Sequence, residues 1–298
     1  MRLSVLELGV TFGEKSPSDA LEEARELAVT ADRLGYHRFW LAEHHEAHYA
    51  WASPEIMVAD LTPRTKRIRL GSAAVLLCLY NPRKISEVFH NLGLLHPGRI
   101  DLGVCAGVPE DPRLLAALTE SDEAAEPRRL SSTYPLKVER LLDQLEPPGE
   151  TVPEVWLQGS GIGNVILSAR HGTFFSYSQF HRGSARDPAL IRRYRDEFTA
   201  DGRYAEPACN IAVSVICAER AEEAERQRQR IEQLIGGDMS INLHGTPSHC
   251  AEGLTELAER FSVDEIVVHA MWDTPRPRID SYVMLAEALS LPVLATVD

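Results

Sequence analysis

The chain has 298 residues, 44% of them hydrophobic and 25% charged, and Lys+Arg 31 against Asp+Glu 44 gives a formal net charge of −13. That composition supplies ample apolar material for a core. It lacks the basic balance that nucleic-acid binding or docking on an anionic membrane requires, so neither partner is expected. No run approaches the ~20 apolar residues of a membrane span. The opening MRLSVLELGV, with one Arg and an acid at Glu7, is not expected to be a secretory signal. Five cysteines (Cys78, Cys105, Cys209, Cys217 and Cys250) form no CxxC pair, which suits a reducing, cytoplasmic setting and argues against the usual zinc spacings.

In chain order, LSVLELGV (3–10) reads as a buried strand. SPSDALEEARELAVTADRLG (16–35) follows as a helix, with Ser16 or Ser18 as cap, acids in its first turn and Gly35 as its stop. YHRFWLA (36–42) is a strand and SPEIMVADLTPRT (53–65) a helix opened by Ser-Pro. KRIRLGSAAVLL (66–77) is expected to be one strand, NPRKISEVFHNLGLLHPG (81–98) a helix and RIDLGVC (99–105) a strand. After an irregular stretch, STYPLKVERLLDQLE (132–146) is a helix, EVWLQGS (154–160) a strand and GNVILSARHG (163–172) a helix. TFFSYSQF (173–180), NIAVSVICA (210–218) and DEIVVHAM (264–271) are the remaining strands. They alternate with helical patterns at 187–198, 219–235, 247–261 and about 278–290.

Eight strands separated by helical segments imply parallel pairing through crossover helices. In this length they suit a closed (β/α)8 TIM barrel better than an open sheet. PPGETVP (147–153) is too short to separate two domains, so 1–298 is read as one domain. Chemistry in such barrels sits on the loops at the carboxyl ends of the strands, where three motifs fall.

The first is FWLAEHHEAH (39–48), with three histidines and two glutamates in ten positions. Adjacent side chains on an extended chain point to opposite sides, so His44 and His45 binding one metal is awkward. A solvated polar loop is the bland reading. A neutral imidazole facing a pocket as an acid–base or hydrogen-bonding group is the sharper one. A one-residue register shift exchanges His44 and His45 in that role.

The second is LQGSGIGN (157–164), where Gly159, Gly161 and Gly163 let backbone N–H groups approach an anion at a helix amino end and Ser160 adds a hydroxyl. Gly-rich strand–helix turns are also common packing devices. The third is GVCAGVPED (103–111), in which Cys105 is either a small buried apolar residue or a thiol lining the pocket. The aromatics of FFSYSQF either stack on a planar ligand or pack in the core.

FWLAEHH, RLGSAAVLL, NPRKISEVFHNLGLLHPGRIDLGVCAG, VWLQGSG and HGTP occur in an order that resembles the bacterial luciferase-like flavin-dependent monooxygenases, over essentially the whole chain. EPRRLSSTYPLKVERLLDQLE is similar to a subgroup associated with natural-product biosynthesis. The resemblance implies a (β/α)8 barrel that holds reduced FMN at its carboxyl mouth, with the flavin delivered by a separate NAD(P)H:flavin reductase. O2 would then give a flavin C4a-(hydro)peroxide that epoxidises or hydroxylates a bulky apolar metabolite, such as a polyketide. It assigns His44 as the catalytic histidine and places Cys105, as a second catalytic-site residue, where luciferase carries a reactive cysteine near the flavin. Ala73-Ala74 falls at a non-proline cis peptide against the ring. Gly159, Ser160 and Gly161 fall in the phosphate turn, Tyr177 against the isoalloxazine, and Glu43 and Tyr134 among the cofactor contacts. A homodimer is the family's default. The alternatives are a deazaflavin-dependent oxidoreductase of the same fold and a flavin-binding or scaffold barrel without turnover.

Two departures from the family pattern stand out. Ala106 occupies the place of a phosphate-binding Arg, and a second such Arg is replaced near Ser132 to Tyr134, with Arg128 and Arg129 nearby. Each lost charge-assisted bond to phosphate removes about 1.5–3 kcal/mol. FMN is therefore expected to bind weakly and to be absent from purified protein. The region before HGTP (236–244) is much shorter than luciferase's mobile lid, so light emission is not expected.

Overall fold

The structure, a computed structural model, describes residues 1–12, 15–120, 126–200, 202–235 and 239–292. Its strands are β1 (Arg2–Glu7), β2 (Arg38–Leu41), β3 (Arg69–Ser72), β4 (Val75–Leu76), β5 (Ile100–Cys105), β6 (Glu154–Gly159), β7 (Phe174–Ser178), β8 (Cys209–Cys217), β9 (Leu243–Gly245) and β10 (Glu265–Ala270). Eight of them close a parallel barrel in the order β1-β2-β3-β5-β6-β7-β8-β10, with β10 pairing back onto β1. The short β4 and β9 add to β5 and β8. The expected TIM barrel is thus the fold observed.

The helices wrap the outside: α1 (Pro17–Arg33), α2 (Pro54–Leu61), α3 (Pro82–Leu95), α4 (Pro112–Thr119), α5 (Pro127–Ser132), α6 (Tyr134–Leu142), α7 (Ile162–His171), α8 (Ala189–Asp196), α9 (Ala221–Leu234), α10 (Pro247–Phe261) and α11 (Pro275–Ala288). Several begin with proline, whose missing N–H would be unpaired in a first turn anyway. Ser16, rather than Ser18, caps α1 in a reciprocal box with Asp19. Asn81 caps α3, and Asp111 caps α4 inside the stretch expected to be irregular. The helix expected at 132–146 is α6, shorter at both ends, and Thr133 separates it from α5, which lies in the stretch expected to be irregular. The strand expected over 66–77 is also broken, because a cis peptide at Ala73-Ala74 separates β3 from β4. No helix among the described residues is long and apolar enough to cross a membrane.

Two apolar layers follow from the two faces of the strands. Residues such as Phe39, Leu41, Leu70, Phe175, Tyr177 and Val213 point outward and pack under the helices. Leu6, Trp40, Ala42, Ala73, Trp156, Ala212 and Val267 point inward and fill the barrel. At the amino end of the strands a buried ionic network closes the interior. Arg38 meets Asp101 at 2.7 Å, Glu154 at 2.9 Å and Glu265 at 3.1 Å. Its guanidinium lies 4.7 Å over the Trp156 ring. The open end of the barrel is therefore the carboxyl end.

Candidate functional site

A cavity of about 660 Å³ opens at that end, lined by residues of the loops that follow several barrel strands. The loop after β2 is docked against the extension of β1. Thr11 N–H donates to the His48 carbonyl at 2.9 Å and Ala50 N–H to the Gly9 carbonyl at 2.8 Å. Gly9 has φ +72°, and a Cβ there would stand 2.8 Å from the Trp51 ring, so this approach needs glycine. Trp51 Nε1–H in turn donates to the Ala42 carbonyl at 3.0 Å.

The loop so held presents His44 to the cavity, stacked on Tyr49 at 3.9 Å between ring centroids and 11° between planes. Burial is the main cause that lowers the His44 pKa to about 4; His48, His181 and His269 act the same way and Glu46, 3.9 Å from Nδ1, opposes them. His44 is therefore a neutral imidazole at physiological pH. His45 turns the other way, with Nε2 2.7 Å from Glu43 Oε1.

Glu43 lines the cavity and braces its wall. Its buried carboxylate accepts from the Tyr80 hydroxyl at 2.6 Å, the Leu76 N–H at 2.9 Å and His45. These bonds hold the segment carrying the cis peptide between Ala73 and Ala74, both of which face the cavity. Cys105 also faces it. Burial pushes the Cys105 thiol up to about 12, and the nearby Glu43 adds to this against a hydrogen bond from the Gly107 backbone. The thiol is protonated and acts as an apolar wall or weak donor, not a nucleophile.

Gly159 is the last residue of β6 and lines the cavity. Ser160 and Gly161 lie beyond it in the turn that opens α7 and are not among the lining residues. Gly161 is the amino cap of α7 and has no side-chain cap bond, which leaves first-turn N–H groups open, and a Cβ at Gly161 or Gly163 would meet nothing within 4 Å. The Asn164 Oδ1 beside this turn is buried without a partner.

Tyr177 and Tyr134 do not reach the cavity. In β7 the alternation places Ser176 and Ser178 inward, so Tyr177 points into the outer layer against Phe175 and Phe261 and accepts from the Asp187 N–H at 3.3 Å. The expected stacking of Tyr177 on a flavin ring is therefore corrected. Tyr134 is buried and donates to the Val104 carbonyl at 3.0 Å, a bond that ties α6 to β5. Arg128 and Arg129 are exposed on α5. The loop around 107–131 includes residues 121–125 and the short stretch 236–244 includes residues 236–238, both of which lie outside the described residues.

Sequence reasoning missed the role of Tyr49 as the platform for His44, and the inward set Trp40, Gln158 and Ser178. Phasing each strand on its inward glycine or small residue was the signal that could have found them.

The residues present fit a flavin ring. The Ala73-Ala74 segment offers a wall without bulk, Leu6, Trp40 and Val267 add apolar surface, and Gln158 and Ser176 supply polar contacts. The phosphate end is different. Among the described residues that line the cavity there is no Lys or Arg, so a phosphate would depend on the open N–H groups of the α7 turn.

The sequence profile described as luciferase-like monooxygenase matches residues 1–253. The uncharacterised protein YwcH of Bacillus subtilis is 31% identical over 83% of this chain and 78% of its own length. The N-acetyl-S-alkylcysteine monooxygenase of the same organism is 26% identical over 97% of this chain and 98% of its own. Among solved structures, apo-MsnO8 is 31% identical with a TM-score of 0.85, covering 98% of this chain and 99% of its own. The FMN complex of the oxygenating constituent of 3,6-diketocamphane monooxygenase from Pseudomonas putida shares the fold at 16% identity and a TM-score of 0.74, covering 99% of each chain. The chain belongs to the luciferase-like monooxygenase family and is a flavin-dependent monooxygenase.

Proposed function

We propose that the protein is the oxygenase component of a two-component system. It would take FMNH2 from a separate NAD(P)H:flavin reductase and use O2 to hydroxylate or epoxidise a bulky, largely apolar metabolite of secondary metabolism. The observation that carries this reading is His44, a neutral imidazole on an aromatic platform, facing a large cavity walled by Ala73 and Ala74. The local likeness to 4-hydroxyprotoasukamycin monooxygenase of Streptomyces nodosus subsp. asukaensis, 35% identical over 45% of this chain and 35% of its own length, supports a substrate of that broad kind.

When bound, reduced flavin supplies the two electrons with which O2 delivers one oxygen atom to the substrate. The chain's own residues do the rest. Ala73, Ala74 and Gly159 seat the ring, and Glu43 holds the first two in place. His44 accepts or donates a proton at the reacting oxygen, a role its neutral state permits. Val10, Phe12, Phe180, Met239 and Met271 receive the apolar body of the substrate and displace water.

The free thiols support a cytoplasmic location. Exposed Ile56 on α2 and Leu94 and Leu95 on α3 support a homodimer through those helices, which light scattering would report. Anaerobic titration with FMNH2 followed by mixing with oxygenated buffer tests the central reading. Saturable binding of FMNH2, with reoxidation kinetics altered in His44→Ala, is expected. Failure to bind FMNH2 at its highest soluble concentration would overturn it and favour the deazaflavin or scaffold readings.

A further inference from the structure

The inner face of β7, β8 and β10 carries two polar groups whose hydrogen-bonding capacity is not fully taken up among the described residues. His269 is buried, on β10, and lines the cavity. Its Nδ1 lies 3.2 Å from the Leu6 carbonyl oxygen. A carbonyl only accepts, so Nδ1 bears the proton, and in the neutral ring Nε2 is a bare acceptor. Burial, helped by the Arg278 guanidinium, lowers the His269 pKa to about 4, which keeps the ring neutral. Arg278 is itself held by Glu7 and Glu23 and is not a partner for this acceptor.

Ser178 is the second group. It is 9% exposed, lines the cavity, and its Oγ is buried with no hydrogen-bond partner. The register places both on the inner face of the same wall of the cavity. Ser178 pairs with Ala212 across β7 and β8, and Ala212 pairs with Val267 across β8 and β10. His269 therefore stands two residues further along β10, with the strand that carries the small Ala212 between it and Ser178. The Phe180 ring, 6.5 Å from the His269 ring between centroids, forms an apolar boundary.

We propose that His269 and Ser178 form a specificity subsite for a hydroxyl group, alcoholic or phenolic, on an otherwise apolar substrate. The substrate O–H donates to His269 Nε2 and its oxygen accepts from the Ser178 hydroxyl. A hydrocarbon of the same shape leaves both Nε2 and Oγ unpaired in a dry wall, and an ether, which accepts from Ser178 but cannot donate, leaves Nε2 unpaired. A site built to bond a hydroxyl therefore rejects the analogue that lacks it. This deepens the oxygenase reading and rests on it for the identity of the cavity as a substrate pocket.

Calorimetric titration of the purified protein with 2-naphthol, 2-methoxynaphthalene and 2-methylnaphthalene tests the subsite directly. The expected result is 2-naphthol binding about tenfold or more tightly than either analogue, as two neutral hydrogen bonds allow. That ratio should fall toward one in Ser178→Ala and in His269→Leu, and should largely persist in His269→Gln, whose carboxamide oxygen still accepts. Should His269→Leu fail to fold, the loss of one hydroxyl oxygen in Ser178→Ala carries the comparison. Equal affinities in the wild-type protein, no binding of any probe, or an equal loss for all three probes in Ser178→Ala would overturn the subsite. FMNH2 titration of the same wild-type protein separates the two readings. Flavin binding without a hydroxyl preference sinks the subsite alone, and a hydroxyl preference without flavin binding sinks the oxygenase reading alone.

Discussion

Nε2 of His45 stands 2.7 Å from Oε1 of Glu43, so the second histidine of the pair is committed to the scaffold while the first faces the cavity. The carboxylate is shared further with the Tyr80 hydroxyl and the Leu76 N–H. Glu43→Gln offers one acceptor oxygen where the carboxylate offers two, so at least one donor loses its match. The expected cost is about 1–3 kcal/mol of stability in urea denaturation, together with weaker flavin binding as the Ala73-Ala74 wall loosens. An unchanged midpoint would show that Glu43 does not hold this wall.

The division of labour between the two histidines predicts different phenotypes. His44→Ala removes the proton-handling group and should slow the chemical step by about 10²–10⁴, the usual range for general acid–base assistance. His45→Ala should act through stability, with a much smaller effect on that step. Stopped-flow reoxidation of bound FMNH2, with oxygenated product quantified, compares them. Equal effects of the two substitutions would remove the basis for choosing His44.

His269 also makes stability depend on pH. Its folded pKa of about 4 lies below the ordinary histidine value because burial and Arg278 disfavour the charged ring, and the His44 ring faces it across the cavity. Below pH 6.5 the unfolded chain gains this proton before the folded one does, so stability falls as pH drops from about 6.5 to about 4. From pH 7 to pH 5 the loss from this residue is on the order of 2 kcal/mol. His269→Gln should flatten that part of the profile in denaturation at both pH values. A slope as steep as that of the wild type would show that other groups cause it.

Cys105 offers a direct check on the nature of the cavity wall. A thiol at about 12 holds far less thiolate at pH 8 than an ordinary cysteine. Alkylation of Cys105 by iodoacetamide in the native protein should run about a thousandfold or more slower than in the unfolded chain, followed by peptide mass spectrometry. Rapid native labelling would restore the reactive-thiol reading.

The eight strands, their parallel order and the loops that carry chemistry were legible because inward and outward residues and helix starts follow local periodicity. Ser16, Asn81 and the prolines mark helix starts for reasons local to each turn. The facing of single residues was not legible. Tyr177 lies between two inward serines, and its direction depends on the phase of β7, which is set by pairing Ser176 with Gln158 of the preceding strand across a helical crossover. The break of 66–77 at Ala73 has the same origin, since Glu43 and β5 fix that segment from outside it. His44 and His45 differ only because the following loop is pinned to residues 9–11.

The floor of the cavity depends on close contact between β3 and β5 at Gly103. A Cβ there would stand 2.2 Å from the Ser72 carbonyl oxygen and 2.4 Å from Gln158 Nε2. The Ser72 hydroxyl bridges the same two strands, donating to the Gly103 carbonyl at 2.9 Å and accepting its N–H at 3.0 Å. Backbone oxygen cannot move aside as a flexible side chain would, so Gly103→Ala must part the strands just below Ala73. The expected penalty is about 1–3 kcal/mol or more, the range for overpacking in a tight core, with a parallel loss of flavin affinity because the ring seat shifts. Thermal unfolding and flavin titration of Gly103→Ala measure both effects. A variant with wild-type stability and affinity would mean that the two strands do not approach as closely as the cavity floor requires.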